Sequence, residues 1–417
     1  MSPRRRGEWP ATAVAAAVVT AAVVVIAAAA AADMVEERLT VGMTLLPGAV
    51  STGAVCLDGS PPAYHLHHGS GAGARSWLLQ FEGGGWCTDV PSCAERAGTR
   101  RGSTRLMTKL EVFSGILSNR PDMNPDFYNW NRVKLRYCDG GSFAGNSVFR
   151  NDTTVLYFRG QRIWDAIVTD LLQKGLAKAE KVLLSGCSAG GLATFFHCDS
   201  LKDRLGGDTT VKCLSDAGFF LDLSDISGNN IIRQFFSSLV SLQGVQKNLN
   251  QNCLNTSDYP YLYALANIIT PYFILNSAYD VYQILAGIGA AVNRIPVHAA
   301  HPKLQLSKQV CLRSAMLTAL KQFEDEPKVG MFVNSCFAHC QSELQDTWLA
   351  PNSPMLHNKR WLVIGILKGV LPRKLTVPIL VIQLATTLSH LIRNCGFRSL
   401  GDDYTCPISK KFLLLVK

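Results

Sequence analysis

Five residues, Gly186-Cys187-Ser188-Ala189-Gly190, constrain this chain most, because of what stands on either side of them. Before them runs Lys181-Val182-Leu183-Leu184-Ser185, apolar and short enough for a buried strand. After them, Gly191-Leu192-Ala193-Thr194-Phe195-Phe196 reads as the start of a helix. Strand, sharp turn and helix are the setting that a G-x-S-x-G nucleophile elbow needs. The turn is crowded and strained, so glycines flank the serine. Such a turn pushes Ser188 Oγ out at the top of a sheet, and the helix N-terminus behind it favours negative charge as it develops. Ser188 is therefore the candidate nucleophile, against the alternative of a structural Gly/Ala-rich turn.

Other short apolar runs alternate with helical spacing. Trp77 to Phe81, Val155 to Phe158, Tyr272 to Asn276 and Gly330 to Asn334 read as strands, and Ile163 to Leu176 as a helix. One domain follows, of α/β-hydrolase-like class: a mostly parallel sheet with helices on both faces.

A serine nucleophile needs a base, an acid that orients the base, and donors for the oxyanion. In a doubly wound hydrolase the partners follow in the order Ser, Asp, His, each beyond a strand. Asp280 lies just past the run 272–275 and His339 just past the run 330–333. Asp216 competes with Asp280 for the acid role. A neutral His339 would take the Ser188 proton, and Asp280 would fix its tautomer. The oxyanion donors should be the Ala189 N–H and amides of Gly84 and Gly85 in the early loop Glu82-Gly83-Gly84-Gly85-Trp86, where bare backbone lets an oxyanion approach. Acyl transfer by serine requires no metal or organic cofactor, and none is expected.

Arg4, Arg5 and Arg6 precede a long Ala/Val run from Ala13 to Ala32, so residues 1–32 read as a signal peptide, with an uncleaved signal anchor as the rival. Either way the body lies outside the cytosol. Residues 1–32 carry +2 and residues 357–417 carry +8; the total is +10, so residues 33–356 carry no net charge. No basic domain argues for nucleic acid. The 13 cysteines suit an oxidising compartment and a disulfide framework. Cys87 and Cys93 are close enough to close a small loop. Cys336 and Cys340 should pair elsewhere, a zinc site of Cys336, His339 and Cys340 lacks a second ligand pair, and Cys187 is expected as a packed free thiol. Asn151-Asp152-Thr153 and Asn255-Thr256-Ser257 are glycosylation sequons.

The chain resembles the plant pectin acetylesterase family, to which the animal Notum-like carboxylesterases are related. The resemblance rests on Phe81-Glu82-Gly83-Gly84-Gly85-Trp86-Cys87, on Asn129 to Gly140 (NWNRVKLRYCDG), on Tyr157-Phe158-Arg159-Gly160, on the elbow, on Ser215-Asp216-Ala217-Gly218-Phe219-Phe220, on Ala278-Tyr279-Asp280, and on Asn334 to Gln341 (NSCFAHCQ). It spans about residues 36–356. It implies an α/β-hydrolase fold, a Ser188–Asp280–His339 triad in which Asp216 is not the acid, and release of acetate from the galacturonan backbone of pectin in the cell wall. A Notum-like lipid or protein deacylase is the alternative enzyme reading.

After about residue 356 the family strings stop. Residues 357–417 form an apolar and basic tail that stands where family members close with a cysteine-rich segment. This tail predicts impaired folding or a catalytically disabled variant, and membrane association only if it or the signal anchor is retained.

Overall fold

The computed structural model describes residues 39–222, 230–249, 264–287, 302–334, 336 and 338–349. The expected signal segment 1–32, the tail 357–417 and the sequon at Asn255 lie outside the described residues.

The elements run β1 (Thr40–Leu45), β2 (Ala63–His67), β3 (Ser76–Phe81), α1 (Val90–Ala97), β4 (Leu110–Val112), β5 (Asn131–Leu135), β6 (Ser147–Arg150), β7 (Val155–Phe158), α2 (Gly160–Gln173), β8 (Lys181–Cys187), α3 (Ala189–Leu205), β9 (Thr210–Asp216), α4 (Ile231–Gln243), β10 (Tyr272–Ser277), α5 (Val281–Gly287), α6 (Pro302–Lys321), β11 (Val329–Asn334) and α7 (Gln345–Trp348). Among the described residues, nine strands form one sheet in the order β11-β10-β9-β8-β3-β5-β2-β1-β4. From β11 through β5 every neighbour is parallel, and β2, β1 and β4 add an antiparallel end. This is the mostly parallel α/β sheet expected, with α3 lying against β8 and β9.

The central strands read as continuous apolar runs because both of their faces are covered. All six residues of β3 and all six of β10 are buried. Val155–Phe158 is a strand but pairs antiparallel with β6 in a separate two-stranded sheet. At the tip of that hairpin the exposed Asn151 accepts hydrogen bonds through Oδ1 from the N–H groups of Thr153 and Thr154, which places its sequon on a surface turn. Helix α2 buries Ile163, Trp164, Ile167, Val168 and Leu171, a 3.6-residue stripe, and stops before Gly175 at φ 113°.

The core between sheet and helices holds an aromatic cluster of Phe81, Phe143, Trp164 and His197, with the His197 ring stacked 4.7 Å from Trp164. Burial pushes His197 down to about 3, so it is a neutral core histidine that hydrogen bonds the Phe143 carbonyl. Disulfides brace this frame: Cys56–Cys138, the expected Cys87–Cys93, and Cys198–Cys213, which ties α3 to β9. The last closes 15 residues, a loop for which cross-linking contributes about 3 kcal/mol.

Parallel pairing puts the carboxyl ends of β3, β8, β9, β10 and β11 along one side of the sheet. The register sets Phe81 beside Gly186, Cys187 beside Asp216 and Ser277 beside Asn334. Ligands of open α/β sheets bind at that side.

Asp139 follows β5 fully buried; its Oδ2 accepts N–H groups from Gly141 and Phe143 at 3.1 and 2.9 Å, while Oδ1 has no partner among the described residues. Burial pushes the carboxyl up to about 6, against the pull of those backbone amides. A raised carboxyl holds its proton in the folded state where the unfolded chain has lost it, so its contribution is full below the unfolded value and fades as pH rises through about 6. Urea melts between pH 4 and 7 should show the wild type losing on the order of 2–3 kcal/mol relative to Asp139→Asn across that window.

Candidate active site

Strand β8 ends at Cys187, and helix α3 begins at Ala189, so Ser188 alone makes the turn. Its backbone sits at φ 58°, ψ −120°, a conformation that costs a non-glycine residue about 1–3 kcal/mol and persists only where its surroundings hold it. They do hold it. The Ser188 N–H donates to the Asp216 carbonyl at 2.9 Å, and a Cβ on Gly190 would overlap the Phe81 carbonyl.

Asp280 and His339 arrive from the next parallel strands. Asp280 follows β10 and is fully buried; its Oδ1 accepts the Gln283 N–H at 2.9 Å. Its Oδ2 lies 2.7 Å from Nδ1 of His339, which follows β11. The His339 ring stacks on Tyr282 at 5.2 Å, and its Nε2 is buried with no partner among the described residues. Ser188 is 4% exposed. No hydrogen bond joins Ser188 to His339 in this structure, a looseness common in unliganded sites.

Asp216 takes a different part. Its Oδ2 accepts the N–H groups of Gln341 and Ser342 and the Ser342 hydroxyl, at 2.7, 2.6 and 2.7 Å. It meets the chain beyond His339 and makes no hydrogen bond to the imidazole. Burial pushes this carboxyl up to about 6, with the Ser342 and Gln341 donors pulling it down. Asn334 Nδ2 donates to Gln341 Oε1 at 2.6 Å and closes the same loop.

The loop after β3 supplies Gly84 at φ 140° and Gly85 at φ 65°, backbone that favours glycine. The N–H groups of Gly84, Gly85 and Ala189 have no acceptor among the described residues. Trp86 Nε1 donates to Ser142 Oγ, which donates to the Ala189 carbonyl, so the glycine loop and the first turn of α3 are linked. Trp86 also packs edge-on against Phe220, Phe235 and Phe236. Beside that first turn lies a cavity of about 50 Å³, lined by Trp86, Leu192, Phe196, Phe219, Phe220 and Phe236 among others.

Two expectations about the cysteines fail. Cys187 is not a free thiol; it is bridged to Cys340. The constraint on the elbow that argued against a bridge is what the bridge supplies: it ties the residue before Ser188 to the residue after His339, 153 positions apart. The signal lay in the sequence, in two cysteines adjacent to the candidate nucleophile and base. Cys340 thus pairs away from Cys336, as expected, whereas Cys336, also expected to pair, is the free cysteine among the described residues.

A profile of the Pectinacetylesterase family matches residues 34–363. The chain belongs to this family. It is 43% identical over 340 residues to "Pectin acetylesterase 5" of Arabidopsis thaliana, covering 76% of this chain and 78% of that protein, and 42% identical to "Pectin acetylesterase 7" of the same plant, covering 77% and 85%. "Palmitoleoyl-protein carboxylesterase NOTUM" of Mus musculus is 37% identical over 182 residues, covering 42% of this chain and 35% of that protein. Among solved structures, the Wnt deacylase Notum from Drosophila superposes with a TM-score of 0.64 at 23% identity, over 74% of this chain and 88% of that one. That likeness bears on the fold, which is α/β-hydrolase-like. No helix among the described residues is long and apolar enough to cross a membrane.

Peptide mapping without reduction should recover Cys187 and Cys340 in one linked pair and Cys336 alkylated. Removing the bridge by Cys187→Ala with Cys340→Ala should cost about 2–5 kcal/mol in a denaturant melt.

Proposed function

We propose that this pectinacetylesterase-family chain is an exported serine carbohydrate esterase that releases acetate from the acetylated galacturonan of pectin. The observation that carries the reading is the hydrogen bond between the buried Asp280 and the half-buried His339, whose Nε2 has no partner among the described residues and lies on the same side of the sheet as the strained Ser188 turn. Ser188 Oγ attacks the acetyl carbonyl while His339 Nε2 takes its proton, and Asp280 holds the Nδ1 tautomer. The tetrahedral oxyanion sits against the N–H groups of Ala189 and of Gly84 or Gly85, each such donor contributing about 3–4 kcal/mol. The sugar oxygen then leaves with the proton from His339. Water, deprotonated by the same imidazole, cleaves the acetyl-serine and frees acetate. No step in this sequence calls on a metal or an organic cofactor.

Residues 1–32 serve in this reading as the export signal and residues 33–356 as the esterase domain.

The decisive assay is acetate release from acetylated pectin by the secreted protein. Wild type should release acetate and Ser188→Ala none, with turnover of nitrophenyl esters falling beyond butyrate. A rise beyond butyrate would indicate a lipid deacylase instead. Wild type silent, but active once residues 357–417 are replaced by a family-type C-terminus, would mark a disabled variant. The two aspartates should separate as well. Asp280→Asn, which imposes the wrong tautomer, should lower kcat roughly 10³–10⁴-fold. Asp216→Asn, whose amide oxygen still accepts the three donors, should lose less than about tenfold.

A further inference from the structure

Glu82 follows β3 directly and leads into the three glycines. Its side chain is 6% exposed. Oε2 accepts the Tyr137 N–H at 3.0 Å and faces Arg136 Nε at 3.1 Å. Oε1 faces Arg101 Nη1 at 2.9 Å and, from the outer side, Arg100 Nη1 at 3.3 Å. The same Arg101 Nη1 also donates to the Gly83 carbonyl. One guanidinium nitrogen therefore grips both the side chain and the main chain of the glycine loop.

The consequence for the loop is geometric. A Cβ on Gly83 would overlap the Cys187 carbonyl and stand 3.2 Å from Ser188 Cβ, so the loop passes directly over the nucleophile turn. A Cβ on Gly84 would stand 2.6 Å from the Arg101 guanidinium carbon, so the arginine lies against the next residue. No peptide bond among the described residues is cis. In a trans peptide C=O and N–H point in opposite directions. With the Gly83 carbonyl turned to Arg101, the Gly84 N–H is turned away from it, and it has no acceptor among the described residues. Arg101 itself is held by the turn after α1, where Arg96 Nε donates to the Arg101 carbonyl at 3.2 Å and the Cys87–Cys93 bridge fastens α1 to the loop's far end.

We propose that Arg101 is a positioning residue for ester hydrolysis: its hold on Glu82 and the Gly83 carbonyl fixes the Gly83–Gly84 peptide so that the Gly84 N–H faces the oxyanion. This assignment rests on the serine-esterase reading above. It differs from a role in merely neutralising the buried Glu82, and the two roles separate experimentally.

The test compares wild type, Arg101→Met, Arg101→Lys, the double variant Glu82→Gln/Arg101→Met, and Ser188→Ala on a small soluble acetyl ester. Each protein also receives a trifluoromethyl ketone, which adds to Ser188 Oγ as a hemiketal alkoxide while the serine proton passes to His339. Losing one oxyanion donor lowers kcat about 10²-fold. Arg101→Met should therefore lose about that factor in kcat, keep KM within about twofold, and bind the ketone weaker by the same factor as kcat/KM. The double variant has no unpaired carboxylate, so it should regain melting temperature without regaining kcat. Arg101→Lys, with a charge but no fork, should fall between. The assignment is overturned if the double variant regains wild-type kcat, or if the loss falls on KM with ketone affinity unchanged. Should Arg101→Met fail to fold, the double and lysine variants decide by the same criteria. Turnover retained by Ser188→Ala would overturn the esterase reading itself. A dead Ser188→Ala beside unimpaired Arg101 variants would overturn only the Arg101 assignment.

Discussion

Asp216 joins the two halves of the site, one through its main chain and the other through its side chain. Its backbone carbonyl receives the Ser188 N–H, and its side chain receives three donors from Gln341 and Ser342, just past His339. Serine and histidine lie far apart in the chain, on strands that are not neighbours. β9 stands next to β8 and one strand away from β11, so one residue at its end reaches the turn after β8 and, across β10, the loop after β11. The Cys187–Cys340 bridge makes the same connection covalently. A polar anchor with fixed directions and a short covalent tie together restrict how far His339 can move relative to the elbow.

Among the buried carboxyls on this side of the sheet, three divide the labour through their partners. Asp280 faces the imidazole, Asp216 faces backbone and hydroxyl donors, and Glu82 faces arginines and a backbone amide. A buried carboxylate without donors would cost several kcal/mol and would protonate instead. Here each has donors matched to it, and each set of donors belongs to a loop that must hold still. The stability of the loops and the chemistry proposed for them thus draw on the same hydrogen bonds.

Much of this was legible in the sequence. The strongly apolar strands β3, β8, β10 and β11 and the residues that follow them, Ser188, Asp280 and His339, stand out because a strand buried on both faces writes an uninterrupted run. β9 and β5 do not stand out: Lys212 breaks β9, and Asn131, Arg132 and Lys134 make β5 polar in sequence. Those polar residues are satisfied by contacts no local window contains. Arg132 reaches the Leu117 carbonyl and His67, and Lys134 pairs with Glu111. The pairing of Cys187 with Cys340 and the grip of Arg101 on the glycine loop are likewise tertiary facts. Arg101 lies 18 residues from Gly83, on a turn whose direction only the fold sets.

The central claim is that Ser188 carries the acyl group between two half-reactions. Rapid acid quench of the protein turning over an acetyl ester, followed by mass mapping of its peptides, tests this most directly. The account predicts an acetyl group on the peptide containing Ser188, absent when Ser188 is alanine and accumulating when Asp280 is replaced by asparagine if deacylation is slowed more than acylation. Steady acetate release with no acetylated serine, or with the acetyl group on another residue, would contradict it.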